Sequence, residues 1–205
     1  MDLVLFKIEI AVESLSAIMA FVIWYYAYRA YRFLSSVSLL FLSASFLLLA
    51  IGLISQAAYT YLAMPLIARY RSIFFGEGYL LYSVLSLAAF LILAFAYSIN
   101  ERPATLAPAF SPFKNFITLR ASFSYVIQVA STILLVFVVA KIFSEYMTKK
   151  SSYSFYVGMG FTFMVVQQFV RLVDIDSDVF YIISSIIQLV GFAFILFAVW
   201  RVSSK

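Results

Sequence analysis

Apolar stretches of about 20 residues or more recur along this chain, the length an α-helix needs to cross a hydrocarbon layer roughly 30 Å thick. Leu39 to Ile54 and Leu85 to Ala96 are almost unbroken apolar blocks. In lipid such segments must satisfy their own backbone hydrogen bonds, and a helix does so within a single segment. A transmembrane β-barrel would instead show apolar and polar residues alternating in segments of about ten. The expected fold is therefore all-α, a polytopic transmembrane helix bundle.

Composition closes off the alternatives. Hydrophobic residues make up 65% of the 205 positions and charged residues 11%, with a mean hydropathy of +1.05. A soluble domain carries about a quarter charged residues. The chain has no Cys and no His, which removes disulfides, thiolate or imidazole metal sites and histidine-ligated haem. No cofactor or metal site is expected. The net charge of +5 is spread over Lys and Arg at the ends of the apolar stretches, as for membrane flanks, so no nucleic-acid partner is expected.

Six spans are read, at about 6–28, 36–58, 78–98, 122–143, 152–172 and 180–200, within one membrane domain covering 1–205. Trp24, Tyr25, Tyr26 and Tyr28 close the first, Tyr59 and Tyr61 the second, Tyr97 the third, while Tyr181 and Trp200 bracket the sixth. Aromatic rings of this kind favour the membrane interface. The first apolar run, long and acid-bearing, reads as a retained anchor rather than a cleaved signal peptide. The connection 100–118 contains Pro103, Pro108, Pro112, Glu101, Arg102 and Lys114 and reads as too polar and broken to span. It divides the chain into three helices and three.

The halves resemble each other. Ser35-Ser36-Val37-Ser38 followed by Ser43-Ala44-Ser45-Phe46 matches Ser151-Ser152-Tyr153-Ser154 followed by Gly158-Met159-Gly160-Phe161. Ala89-Phe90 with Leu93 to Ala96 matches Gly191-Phe192 with Ile195 to Ala198. An odd number of spans per repeat predicts two three-helix repeats in inverted orientation, as in many secondary transporters. Six spans also predict both termini on one side. The basic flanks then divide almost evenly, with Arg29, Arg32, Arg102, Lys114, Arg120 and Arg171 facing Lys7, Arg69, Arg71, Lys149, Lys150, Arg201 and Lys205, so orientation is not assigned.

Polar chemistry concentrates inside the spans. Glu9, Glu13 and Ser16 follow i, i+4, i+7 spacing and share one helix face. Glu9 is expected at the interface and Glu13 inside, where an ionised carboxylate costs about 2.5–3.5 kcal/mol near mid-membrane unless paired, hydrated or protonated. Ser124, Gln128 and Ser131, and again Ser184, Gln188 and Gly191, repeat that spacing. With Glu13 they form a candidate intramembrane seam; the alternative is ordinary interhelical hydrogen bonding. Gln167 and Gln168 precede Arg171 in the fifth span. The acidic turn Asp174-Ile175-Asp176-Ser177-Asp178 lacks the glycine and distal glutamate of an EF-hand and reads as a solvated connection. Lys141 and Glu145 are spaced for an interfacial ion pair, and Arg29 and Arg32 for headgroup or partner contacts. There is no G-x-x-x-G, no phosphate loop and no nucleophile with a His base.

Tyr25-Tyr26-Ala27-Tyr28-Arg29-Ala30-Tyr31-Arg32, with the Ser-rich helix start and Leu39-Leu40 running to Gly52, resembles a helical hairpin of small uncharacterised archaeal multispanning proteins and of some sensor membrane modules. The likeness covers residues 24–52, carries no catalytic residues, and implies a sensory or scaffolding role.

Two function classes follow. The first is a non-enzymatic multi-pass component of a larger assembly in the cell membrane, in contact with the lipid bilayer and with other membrane subunits or a second copy of itself. The alternative is a small ion- or proton-coupled transporter or channel with Glu13, Gln128 and Gln188 lining its path.

Overall fold

The computed structural model describes residues 3–63, 67–99, 120–173 and 178–203. They form six helices: α1 (Leu3–Leu34), α2 (Val37–Ala63), α3 (Ile67–Ile99), α4 (Arg120–Lys149), α5 (Ser152–Val173) and α6 (Asp178–Ser203). Five contain stretches long and apolar enough to cross a membrane, namely Lys7–Leu34, Val37–Leu62, Leu80–Ser98, Tyr125–Lys149 and Ile182–Ser203. The helix over 152–172 also forms, as α5, but Gln167, Gln168 and Arg171 lower its hydropathy; all three are buried in the bundle. Several helices outrun the spans expected from hydropathy. α1 continues through its aromatic belt to Leu34, and α3 begins well before residue 78, because a helix leaving lipid keeps its backbone bonds.

Two tight turns share one geometry. Ser35 and Lys150 have φ of 49° and 47°, and their N–H groups donate to Tyr31 O and Tyr146 O, both at 2.7 Å. Each is the left-handed residue that ends a helix and satisfies one of its last carbonyls. Ser36 O then accepts from Leu39 N at 3.0 Å, and Ser151 O from Phe155 N at 3.2 Å, opening α2 and α5.

Each helix packs against its neighbours in the chain, and α1 packs against α6, closing a ring. Adjacent helices within each half are antiparallel: Gly52 of α2 lies against Tyr82 of α3, while Phe41 meets Phe95, with ring centroids 5.9 Å apart. The halves join differently. Arg171 at the end of α5 stands over the ring of Tyr82, in the first half of α3, and a tight turn makes α4 antiparallel to α5, so α3 and α4 run parallel. α6 is antiparallel to α5, Arg171 meeting Ser184 while Gly160 lies against Gly191, so α6 runs parallel to α1, with which it lines a groove.

These directions correct three expectations. The two three-helix repeats run the same way instead of inverted. α1 starts at one end of the bundle and α6 finishes at the other, so the termini lie at opposite ends. Arg29 and Arg32, at the end of α1, share an end with Lys149, Lys150 and Arg201 rather than opposing them. The parity argument assumed that the connection 100–118 leaves and re-enters at one end. That segment lies outside the described residues.

The repeat is otherwise confirmed in detail. Positions 115 apart match between α1–α2 and α4–α5: Tyr31 with Tyr146, Ser35 with Lys150, Phe46 with Phe161, Ser16 with Ser131. Positions 102 apart match between α3 and α6, such as Phe90 with Phe192 and Ala96 with Ala198. Matched positions share their burial almost residue for residue. The four matched phenylalanines, Phe46, Phe90, Phe161 and Phe192, are each fully buried. Phe46 contacts Phe161 at 6.3 Å and Phe192 at 5.6 Å between centroids, bringing α2, α5 and α6 together within the ring.

A candidate site: the buried polar layer

The half of the bundle at the start of α1 is built differently. Every helix turns polar side chains inward there: Glu9, Glu13 and Ser16 from α1, Gln56 and Thr60 from α2, Tyr82, Ser83 and Ser86 from α3. From the second repeat come Gln128, Ser131 and Thr132 on α4, Gln167, Gln168 and Arg171 on α5, and Ser184, Ser185 and Gln188 on α6.

Hydrogen bonds tie the layer across helices. Gln56 Nε2 donates to Glu13 Oε1 at 2.6 Å, joining α2 to α1. Arg171 Nε donates to Ser184 Oγ at 3.1 Å and Nη2 to Ser185 Oγ at 3.5 Å, joining α5 to α6. The guanidinium also stands over the Tyr82 ring, 5.4 Å from its centroid, and Tyr82 OH accepts from Gln188 Nε2 at 3.5 Å. Tyr82 thus links the repeats, with its ring against Gly52 on one side and beneath Arg171 on the other. A guanidinium over an aromatic face gains about 2 kcal/mol or more when desolvated.

Several helical hydroxyls bond back to their own helix, as Ser86 does to Ser83 O at 2.9 Å and Thr132 to Gln128 O at 2.8 Å. Ser16 Oγ and Ser131 Oγ, matched by the repeat and each 1% exposed, make no hydrogen bond among the described residues, nor does Gln167 Nε2. Buried polar atoms of this kind are uncommon and mark places where a ligand or water is accommodated.

The structure brings together Glu13, Gln128, Gln167, Gln168 and Gln188, all singled out from spacing. Glu9, expected at the interface, is 6% exposed, because the helix carries it on the same inward face as Glu13. Ser124 and the turn 174–177 lie outside the residues whose side chains are described. Three residues went unrecognised. Arg171 was counted as a flank charge, and its spacing of four from Gln167 was the available signal. Gln56 and Tyr82 sit in apolar surroundings, where one amide or hydroxyl gives no pattern.

The peripheral expectations resolve separately. Glu145 forms its ion pair with Lys149, at 2.6 Å, one turn further along an exposed face. Lys141 Nζ, the partner expected from spacing, lies 5.8 Å from the centre of the Phe137 ring. Arg29 and Arg32 are exposed, Arg29 standing 5.9 Å over Phe33. Among the described residues no cluster of acidic side chains is arranged to hold a metal ion.

Fold and site define the class: an all-helical bundle of two parallel three-helix repeats around a buried polar layer. No family model, no curated protein and no solved structure matches the chain.

Proposed function

We propose that the chain is a multi-pass protein of the cell membrane that moves protons across it through the polar layer, with Glu13 as the group that carries them. The observation behind this reading is Glu13 itself, 1% exposed among side chains from all six helices. A carboxyl group at such depth is costly unless charge is exchanged or compensated there. Parallel repeats about an axis along the membrane normal are an arrangement used by secondary transporters, which bind cargo near the repeat interface. The layer occupies one half of the bundle while four phenylalanines fill the other. Transport then requires the repeats to rock so that the apolar half parts and the polar half closes.

The test is proton flux in liposomes containing the purified protein, followed with an entrapped pH-sensitive dye. Glu13→Gln keeps the shape and the Gln56 contact but cannot release a proton, so flux is expected to vanish. Undiminished flux in that variant overturns the role.

A second reading, a non-enzymatic subunit of a larger membrane assembly, draws on the apolar groove between α1 and α6. It has a volume of about 460 Å³, with Phe197 and Trp200 on its walls. This reading expects another membrane protein to co-purify in mild detergent, and isolation of the chain alone counts against it.

A further inference from the structure

The two repeats place different chemistry at matched positions, and the second repeat is built for negative charge. Gly52 of the first repeat matches Gln167 of the second, and Gln56 matches Arg171, each pair 115 positions apart. Tyr82 matches Ser184, 102 positions apart. In the first repeat the large Tyr82 ring fills the space beside Gly52. In the second, the small Ser184 stands at that position, and α5 offers an amide and a guanidinium in place of a glycine and an amide.

We infer that Arg171 and Gln167 form a binding subsite for a small monovalent anion, loaded together with a proton on Glu13. This rests on the proton-carrying role proposed for Glu13. Arg171 is 6% exposed, and its position is held on two sides, by the Ser184 and Ser185 hydroxyls and by the Tyr82 ring. Guanidinium is the side chain best suited to such a role, since it stays charged when buried and presents several donors in one plane. Gln167 lies one helical turn before Arg171, on the same face. It is 1% exposed, and its Nε2 donor reaches no acceptor among the described residues. A buried amide N–H left in this state has given up its hydrogen bond to water without replacement, and an anion accepting from it restores one. The second donor selects an anion over a cation or a neutral apolar solute.

Coupling to Glu13 follows from shared surroundings. Tyr82 touches both Gly52, one turn from the Gln56 that bonds Glu13, and Arg171. In a layer shielded from water, an anion beside a carboxylate is less favourable than an anion beside a carboxylic acid. Anion and proton therefore favour each other's binding, by reciprocal linkage. One anion and one proton enter and leave together, so the step carries no net charge.

The experiment is the thermal midpoint of the purified full-length protein in detergent, titrated with formate or chloride against gluconate at constant ionic strength and at several pH values. A ligand that binds only the folded state raises the midpoint saturably. Formate and chloride are expected to do so and gluconate not, with apparent affinity rising about tenfold as the pH is lowered from 8 to 6, since a fully coupled proton changes affinity tenfold per pH unit at most. Arg171→Gln should abolish the shift and Gln167→Ala weaken it several-fold. The second variant keeps the test open should the first fail to fold. Glu13→Gln should retain the shift but lose its pH dependence. A shift undiminished in either subsite variant, or no saturable shift in the wild type, overturns the subsite. A pH-independent shift in the wild type overturns the coupling. Proton flux that depends on Glu13 but is indifferent to the anion sinks this inference while leaving the proton-carrying role intact.

Discussion

The two repeats share a backbone plan and differ in charge. Both begin with a helix that ends in a left-handed residue, both pack a fully buried phenylalanine at matched places in their second and third helices, and both alternate buried and exposed positions in one register. At the polar layer they part. Glu13 faces Gln128 as its counterpart, Gln56 faces Arg171, and Tyr82 faces Ser184. Close packing constrains the total volume of side chains that face one another, as Gly52 beside Tyr82 and Gln167 near Ser184 illustrate, since interiors tolerate neither voids nor overlap. No such requirement applies to the sign of a charge, so the scaffold stays symmetric while the acid settles in one repeat and the base in the other. Symmetry therefore marks what holds the bundle together, and asymmetry marks what it handles.

The most decisive way to break this comparison is topological. Repeats running the same way put the two termini on opposite faces of the membrane, so a tag at the N-terminus and one at the C-terminus should be protected from added protease in opposite vesicle orientations. Tags accessible together would mean inverted repeats after all.

Truncating Phe46 or Phe161 to Ala should cost about 3–5 kcal/mol each, the usual range for emptying a buried ring's volume. Near-equal losses in thermal or denaturant unfolding would sharpen the equivalence of the repeats; a several-fold difference would argue against it.

A smaller and unequal effect is expected at glycines. A Cβ on Gly160 would meet the Ile195 side chain and stand 2.7 Å from the backbone oxygen of Gly191, which cannot swing aside. On Gly52 it would stand 3.3 Å from the Tyr82 ring and 3.4 Å from Leu85 Cβ, where side chains have some freedom. Gly160→Ala should therefore cost about 1–3 kcal/mol, the range for overpacking, and Gly52→Ala measurably less. The same unfolding assay checks the ranking.

The smallest effect is expected at the matched hydroxyls. Ser16→Ala and Ser131→Ala each remove a buried oxygen that makes no hydrogen bond among the described residues, so stability should stay within about 0.5 kcal/mol or rise slightly. A loss beyond about 1 kcal/mol at either would show that the hydroxyl is bonded after all.

Much of the site was legible in the chain because helical periodicity is local. Glu9, Glu13 and Ser16 lie on one face by spacing alone, and so do Gln128 with Ser131 and Gln188 with Gly191. Partners were not legible. That Glu13 meets Gln56, 43 residues away, depends on which helices are adjacent. Arg171 read as a flank cation because a basic residue near a helix end ordinarily reaches water. Only the packing of α6 and Tyr82 around it turns the same position into an interior one. Lys141 and Lys149 are both spaced to reach Glu145; in the fold Lys149 pairs with it and Lys141 stands beside the Phe137 ring.

By itself the sequence determined that the chain folds into helices, roughly where each one lies, that its halves repeat, and which faces carry polar groups. Backbone satisfaction and the 3.6-residue period act within a single segment, so they can be read without knowing any neighbour. The direction of the second repeat, the closure of the ring through α1 and α6, and the gathering of acid and base into one layer were decided by the tertiary structure. Each depends on where a helix end comes to rest relative to residues distant in the chain, and no local period encodes that.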